Sequence, residues 1–353
     1  MKHLYVHLPF CGHRCGYCDF VTAVGRHEQH AAYVDALLRE LHEEHDGSSV
    51  ETIFLGGGTP TFTALPELLR LLDALPDAGE ITVEANPETV TRELADALRT
   101  HGVTRVSLGA QTFQPHLLRT LERTATPRDV DRAFAHLRDA GFDNLSLDLI
   151  YGIPGQTPAH LAADLAHALA LGPDHISAYE LEAKPGTRFT IAHGAELVRQ
   201  AERMEDYFER VVATFTAAGF RWYETANFCR NDKRALHNLG YWLGHDYLGI
   251  GVGAVSTLGN ERRRNTRKLG RYLRGEYCRE LEHLDDETRA RERVMLGLRL
   301  DEPLPLAGIR HALDPAGLAR VEQLGLAEEL GDALALTRRG RFLGGAVTAE
   351  LLA

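Results

Sequence analysis

Apolar residues recur along the first two thirds of the chain in two alternating patterns. Short runs rich in leucine, isoleucine and valine, at residues 4–8, 52–55, 81–85, 105–108, 144–150 and 175–181, predict buried strands. Between these runs the apolar positions step by three and four, as one face of a helix does. Tyr33, Val34, Leu37, Leu38 and Leu41 make one such face, and Val130, Ala133, Phe134 and Leu137 another. Gly141 follows the second as a C-terminal cap. Thr126-Pro127 and Thr157-Pro158 each predict a cap residue with proline in the first helical turn. Six strand–helix units in succession predict a parallel sheet with right-handed crossovers. The fold class is α/β, a partial (β/α)6 barrel that is TIM-like but two units short of the full eight. In such a sheet ligands sit at the carboxyl ends of the strands.

The rhythm breaks after residue 220. Both tryptophans, Trp222 and Trp242, fall in the glycine-rich stretch that follows, with Tyr223, Phe228, Tyr241 and Tyr247, and residues 261–274 are strongly charged. Residues 281–353 predict a smaller, mainly helical C-terminal domain. Residues 334–342 read as a strand, a turn and a helix, which suggests a winged-helix-like module. The expected organisation is a barrel over 1–220, a connecting region over 221–280 and the C-terminal domain over 281–353. A net charge of −11 disfavours nucleic acid and anionic membranes as partners. No run approaches the roughly 18 to 20 apolar residues of a transmembrane segment. The first residues read as a strand rather than a secretory signal. Five cysteines, an odd number with three clustered, do not suggest a disulfide framework. A reducing, cytoplasmic setting is expected.

Those three cysteines, Cys11, Cys15 and Cys18, occupy the first strand-to-helix connection with C-x3-C-x2-C spacing. One short loop can then hold three corners of a cubic iron–sulfur cluster and leave the fourth iron open to a ligand. A zinc ion held by the three thiolates and His13 is the rival reading, although structural zinc sites usually draw on two ligand pairs. Cys229 and Cys278 stand alone and read as ordinary residues.

Further polar chemistry collects at the predicted strand ends. Gly56-Gly57-Gly58-Thr59-Pro60 follows the second strand and lets backbone approach a ligand closely. It lacks the Gly-Lys-Ser/Thr ending of a Walker loop. Glu84 precedes Ala85-Asn86-Pro87, and Gln111 follows Leu108-Gly109-Ala110. Asp148 interrupts an apolar run, where a carboxylate is costly unless paired or bound. Arg123, just before the helix that Thr126 caps, can bring positive charge to the same end. Singly, each is as well explained by structural hydrogen bonding. Together they suggest a polar ligand with hydroxyl and amine groups.

Cys11-x3-Cys15-x-Tyr17-Cys18 with Gly56-Gly57-Gly58-Thr59-Pro60 resembles the radical S-adenosylmethionine (SAM) superfamily. Tyr5-Val6-His7-Leu8-Pro9-Phe10, Gln111-Thr112-Phe113 and Asp148-Leu149-Ile150-Tyr151-Gly152-Ile153-Pro154-Gly155 are similar to the oxygen-independent coproporphyrinogen oxidase group, and the likeness spans nearly the whole chain. The resemblance implies a [4Fe-4S] cluster on Cys11, Cys15 and Cys18. It implies SAM chelating the open iron and receiving an electron into its sulfonium C–S bond. It implies SAM contacts at Tyr5, Tyr17, Gly57, Gly58, Thr59, Glu84, Gln111, Arg123 and Asp148.

Two features divide that group. The decarboxylating oxidase has a fourth cysteine two residues after the third, where this chain has Phe20. His237-Asn238-Leu239-Gly240-Tyr241-Trp242 matches the H-N-x-x-Y-W signature of the group's heme chaperones. That branch implies heme as a ligand, with His237, Asn238, Tyr241 and Trp242 as heme-binding candidates, and heme-acceptor proteins such as respiratory enzymes as partners. The alternative function is the oxidase itself, making protoporphyrinogen IX by SAM-radical decarboxylation. A neutral imidazole is a good iron ligand. With 18 histidines in the chain, a packing role for His237 stands beside that reading.

Overall fold

The protein is described by a computed structural model covering residues 2–185 and 187–352. Six parallel strands form its centre: β1 (His3–Leu8), β2 (Val50–Gly57), β3 (Ala78–Ala85), β4 (Arg105–Gln111), β5 (Leu145–Tyr151) and β6 (His175–Glu180). They lie side by side in chain order without reversal. A sheet wound in one direction carries its helices on a single face and curls around the other. The expected partial barrel is therefore what the chain forms, and it stays open.

Helices α1 (His30–Glu44), α2 (Leu65–Ala74), α3 (Arg92–Thr100), α5 (Pro127–Asp139) and α6 (Pro158–Leu171) return the chain between strands. A six-residue helix, α4 (Pro115–Thr120), precedes α5 and was not evident from periodicity. Thr126 and Thr157 cap α5 and α6 through reciprocal capping boxes with Asp129 and His160. Gly141 follows α5 with φ +87, the left-handed turn its position suggested. Each strand points its apolar residues outward. Leu4, Val6, Ile53, Leu55, Val83, Val106, Leu108 and Leu147 meet Tyr33, Leu37, Leu98, Phe134 and Leu165 of the helices in one core. Each such side chain contributes about 1.5–3 kcal/mol by leaving water.

The opposite face of the strands is polar. Register sets His3 beside Thr52, Thr52 beside Glu80, Thr82 beside Arg105, Glu84 beside Ser107, Gly109 beside Asp148 and Ser146 beside His175. Period-2 alternation thus lines the barrel with groups that must find partners inside it.

Beyond residue 220 the chain keeps building the same sheet. Helices α7 (Arg188–Ala201) and α8 (Met204–Ala217) lead into β7 (Arg221–Glu224) and β8 (Asn227–Cys229), which extend the β6 edge antiparallel. Helix α9 (Leu236–Trp242) crosses to the other edge, where β9 (Tyr247–Ile250) runs parallel to β1. Strands β10 (Val255–Leu258), β11 (Glu261–Arg264) and β12 (Glu280–His283) follow antiparallel, with the short helix α10 (Leu269–Leu273) between the last two. A second, smaller core around Val294, Leu304, Val321, Leu334 and Val347 gathers α11 (Asp286–Gly297), α12 (Pro315–Gln323) and α14 (Gly344–Leu351), while Phe342 of α13 (Arg338–Phe342) packs on the barrel core. A three-stranded sheet of Leu304–Pro305, Ala327–Glu329 and Ala333–Leu336 completes this helical C-terminal region. Among the described residues no helix is long and apolar enough to cross a membrane.

Candidate functional site

The cysteine loop leaves β1 at its carboxyl end. Phe10–Cys11 pairs in parallel with Ala23–Val24, which closes the loop at its base. Gly58 N–H donates to Leu8 O and Thr59 N–H to Phe10 O, both at 2.8 Å, so the glycine run lies against the loop. At Gly57 φ is +111, and a Cβ there would fall 2.4 Å from the His7 ring; at Gly58 it would fall 2.6 Å from Pro9 backbone. Only glycine lets the two segments approach this closely.

Polar side chains reach the cysteines from neighbouring strand ends. Thr59 Oγ1 donates to Cys11 Sγ at 3.5 Å, and Arg123 Nη1 to Cys15 Sγ at 3.6 Å. Asn86 joins these two supports: its Nδ2 donates to Thr59 Oγ1 at 3.0 Å and its Oδ1 accepts from Arg123 Nη2 at 2.8 Å. Asn86, two positions after Glu84, is a functional residue that its sequence context alone does not mark. Burial pushes the Cys11 thiol up to about 11 and also raises Cys18. Loading these sulfurs with metal must therefore displace protons.

The three thiol sulfurs are not among the metal-capable groups whose ligand atoms lie within 4.8 Å of one another. A single zinc ion at a Zn–S distance of about 2.3 Å would bring them to about 3.8 Å. His13, the fourth ligand of that reading, is exposed. The loop fits a cluster with one iron under each sulfur better than one ion.

Above the loop opens a cavity of ≈ 1050 Å³. Every sequence candidate for the cluster and for SAM lines it except Tyr5. Tyr5 shares a hydrogen bond with His7 at 3.0 Å and faces a second cavity of ≈ 380 Å³, which Phe20 and Tyr241 also line. Glu84 Oε2 accepts from Gly57 N–H at 3.1 Å, and Ser107 Oγ donates to Asp148 at 3.0 Å. Burial first, and the facing Asp148 charge second, push the Glu84 carboxyl up to about 7. Burial also raises Asp148, against the pull of buried Arg105 and the Ser107 hydroxyl. Gln111 leaves β4 at a register shift with φ +64, a left-handed backbone at the cavity wall.

The far wall of the cavity comes from the C-terminal region: Met295 of α11, Leu298 and Arg299 just after it, Arg341 and Phe342 of α13, and Thr348 of α14. Phe20, 61% exposed, stands at its edge.

The heme candidates lie elsewhere. Helix α9 packs near the amino ends of β2 and β3, where His237 meets Thr52 and Glu80, and its Tyr241 reaches the second cavity beside Phe20. His237 is 1% exposed. Its Nδ1 bonds Thr52 Oγ1 at 2.8 Å, its Nε2 bonds Tyr241 Oη at 2.9 Å, and its backbone N–H donates to Glu80 at 3.1 Å. In this conformation neither ring nitrogen is free for an iron ion. The Trp242 ring lies 4.3 Å beneath the Arg299 guanidinium. Asn238 is partly buried, and none of the four candidates lines the large cavity.

Comparisons with known proteins match this arrangement. The radical SAM superfamily model covers residues 5–168, and the HemN C-terminal domain model covers 284–343. "Heme chaperone HemW" of Bacillus subtilis is 33% identical, with all of this chain and 99% of that protein aligned. The chain belongs to the HemW family of radical SAM proteins. The Mycobacterium tuberculosis member is 37% identical over 99% of this chain and 94% of its own. The Escherichia coli member is 34% identical over 86% and 83%. Among solved structures, coproporphyrinogen III oxidase (HemN) from Escherichia coli, described as a radical SAM enzyme, superposes with a TM-score of 0.84. It is 25% identical, with 100% of this chain and 90% of that chain covered. Membership of the radical SAM superfamily implies a [4Fe-4S] cluster and SAM.

Proposed function

We propose that the protein is a cytoplasmic heme chaperone that holds a [4Fe-4S] cluster, SAM and heme, and passes heme to acceptor proteins such as respiratory enzymes. The observation carrying this reading is the end-to-end likeness, at 33% and 37% identity, to proteins named heme chaperone HemW. Phe20, in place of the oxidase's fourth cysteine, agrees with it.

In this reading Cys11, Cys15 and Cys18 hold the cluster. Arg123 offsets thiolate charge at Cys15, and Thr59 does the same at Cys11 through a hydroxyl. Gly57 and Gly58 give backbone approach to SAM, while Tyr17, Glu84, Gln111 and Asp148 meet its polar and aromatic groups. A cluster bound there supplies an electron to SAM. The wide cavity, walled by Phe342, Met295, Arg299 and Arg341, has the size and the mixed apolar and cationic lining that an anionic flat macrocycle needs.

The test is heme titration of anaerobically reconstituted protein. A Soret shift saturating at a fixed heme ratio, followed by transfer to an apoprotein acceptor, is expected. Absence of both sinks the reading. The fold likeness to HemN favours a second reading, coproporphyrinogen III oxidase. An anaerobic assay with reductant and SAM decides it: vinyl-bearing product establishes the oxidase and demotes the chaperone.

A further inference from the structure

The barrel's amino end, opposite the cysteine loop, gathers two imidazoles and a carboxylate. His3 opens β1, Glu51 lies beside it on β2, and His245 follows α9. Ligand-capable atoms of all three lie within 4.8 Å of one another, the single such trio among the described residues. His3 Nε2 and His245 Nδ1 are 3.0 Å apart, with the rings nearly parallel at 7°.

The surroundings shape this group as a site. At Gly240 a Cβ would fall 2.5 Å from His3 Nε2, so this glycine leaves open the space over the nitrogen that faces His245. Gly244, at φ +69, turns the chain after α9, and His245 N–H donates to Gly240 O at 2.9 Å. The other nitrogen of His3 bonds Thr52 Oγ1 at 2.8 Å, which fixes ring orientation as an outer partner does in metal sites. Lys2 holds one Glu51 oxygen at 3.0 Å from solvent, and both side chains are more than half exposed.

The geometry points to a divalent transition-metal site formed by His3, His245 and Glu51, suited to Zn²⁺ and its first-row neighbours. Two imidazole nitrogens around a tetrahedral zinc stand about 3.3 Å apart, given Zn–N distances of about 2.0–2.1 Å. The present 3.0 Å needs only a small opening. Two nitrogens and one carboxylate suit zinc, nickel or copper better than calcium or magnesium. The fourth position is left for water.

Binding moves one proton. Without metal, a single N–H bridges the two imidazoles. With metal, both facing nitrogens present lone pairs, so the bridging proton, whichever ring carries it, moves to that ring's other nitrogen. His3 then donates from Nδ1 to Thr52, and Thr52 to His237 Nδ1. The metal clasps β1 to the segment after α9 and sets the direction of the hydrogen bonds that lead to Tyr241.

The test is calorimetric titration of Zn²⁺ into chelator-washed protein whose cluster cysteines are filled by reconstitution, with Co²⁺ absorption in parallel. One Zn²⁺ per chain is expected, with a raised unfolding temperature and, in the difference spectrum against cobalt-free protein, cobalt bands without added sulfur charge transfer. Affinity falls at least about tenfold in His245→Ala and in Glu51→Gln, with cluster absorbance and circular dichroism unchanged. Absence of saturable binding, equal binding in His245→Ala, or a cobalt spectrum dominated by sulfur charge transfer overturns the site.

Discussion

His237 and His7 show what a polar barrel lining demands of single residues. Each uses both ring nitrogens: His237 on Thr52 and Tyr241, His7 on Tyr5 and the Val21 carbonyl. Burial disfavours a charge on either ring. Burial accordingly lowers His7 to about 4 and His237 to about 3, from 6.5. In both cases the folded value lies below the unfolded one, so the unfolded chain takes up protons first as pH falls. Stability is complete above pH 6.5 and declines below it, by about 1.4 kcal/mol per pH unit for each histidine in that window. Urea midpoints at pH 7, 6 and 5 should fall progressively. In His237→Phe the slope between pH 6 and 5 should drop by about one histidine's share. An unchanged slope would show that His237 does not stay neutral. The motif around His237 was plain in the sequence. Its burial was not, because only the docking of α9 on β2 and β3 sets Thr52 and Glu80 against it.

At the scale of elements, glycines with positive φ separate backbone strain from close packing. Gly141, after α5, has φ +87 and open space within 4 Å of where a Cβ would stand, whereas Gly57 has φ +111 and its Cβ would meet His7. Gly141→Ala should cost about 1–2 kcal/mol, the strain of the left-handed backbone alone. Gly57→Ala adds the collision and should cost more than Gly141→Ala, with weaker cluster retention by iron analysis. Equal costs would mean that His7 moves aside freely. Both glycines were legible as sequence signals, one after a helical face and one after a strand. The six central strands were legible for the same reason: each is a compact apolar run ended by a turn or cap. The edge strands were not. Glu261–Arg264 pairs with Glu280–His283, setting Arg262 opposite Glu282 and Arg264 opposite Glu280. Such charged edges protect a sheet from further pairing, and in sequence they look like solvated loop.

Across the whole molecule, the cavity exists because the C-terminal region docks over the barrel, and this docking leaves no periodic trace in sequence. The cysteines and polar strand ends could be placed by counting strands. Met295, Arg299, Arg341 and Phe342 could not, since tertiary packing alone brings them there. Arginines carry much of the contact, Arg221 on Asp301 and Arg234 on Glu302 among them. Arg341 stacks 3.6 Å over the Trp222 ring and donates to its carbonyl at 2.8 Å. Arg293 donates to Trp242 O at 2.9 Å. Arg299 pairs with fully buried Glu224 at 2.6 Å while covering Trp242. Removing Arg299 leaves the Glu224 carboxylate buried with only Asn227 and the Ala226 N–H as partners. Stranding one partner of a buried pair costs about 3–5 kcal/mol, and the 36% exposure of Arg299 brings the expected loss nearer to about 2 kcal/mol. Arg299→Ala should therefore loosen the C-terminal region before the barrel unfolds, and limited proteolysis near residue 284 should quicken. The double variant Glu224→Gln with Arg299→Ala removes the stranded charge and should recover part of that stability. If the single and double variants resist protease as the parent does, the docking rests on the other contacts across the junction, those of Arg341, Arg293 and the Arg221–Asp301 pair among them.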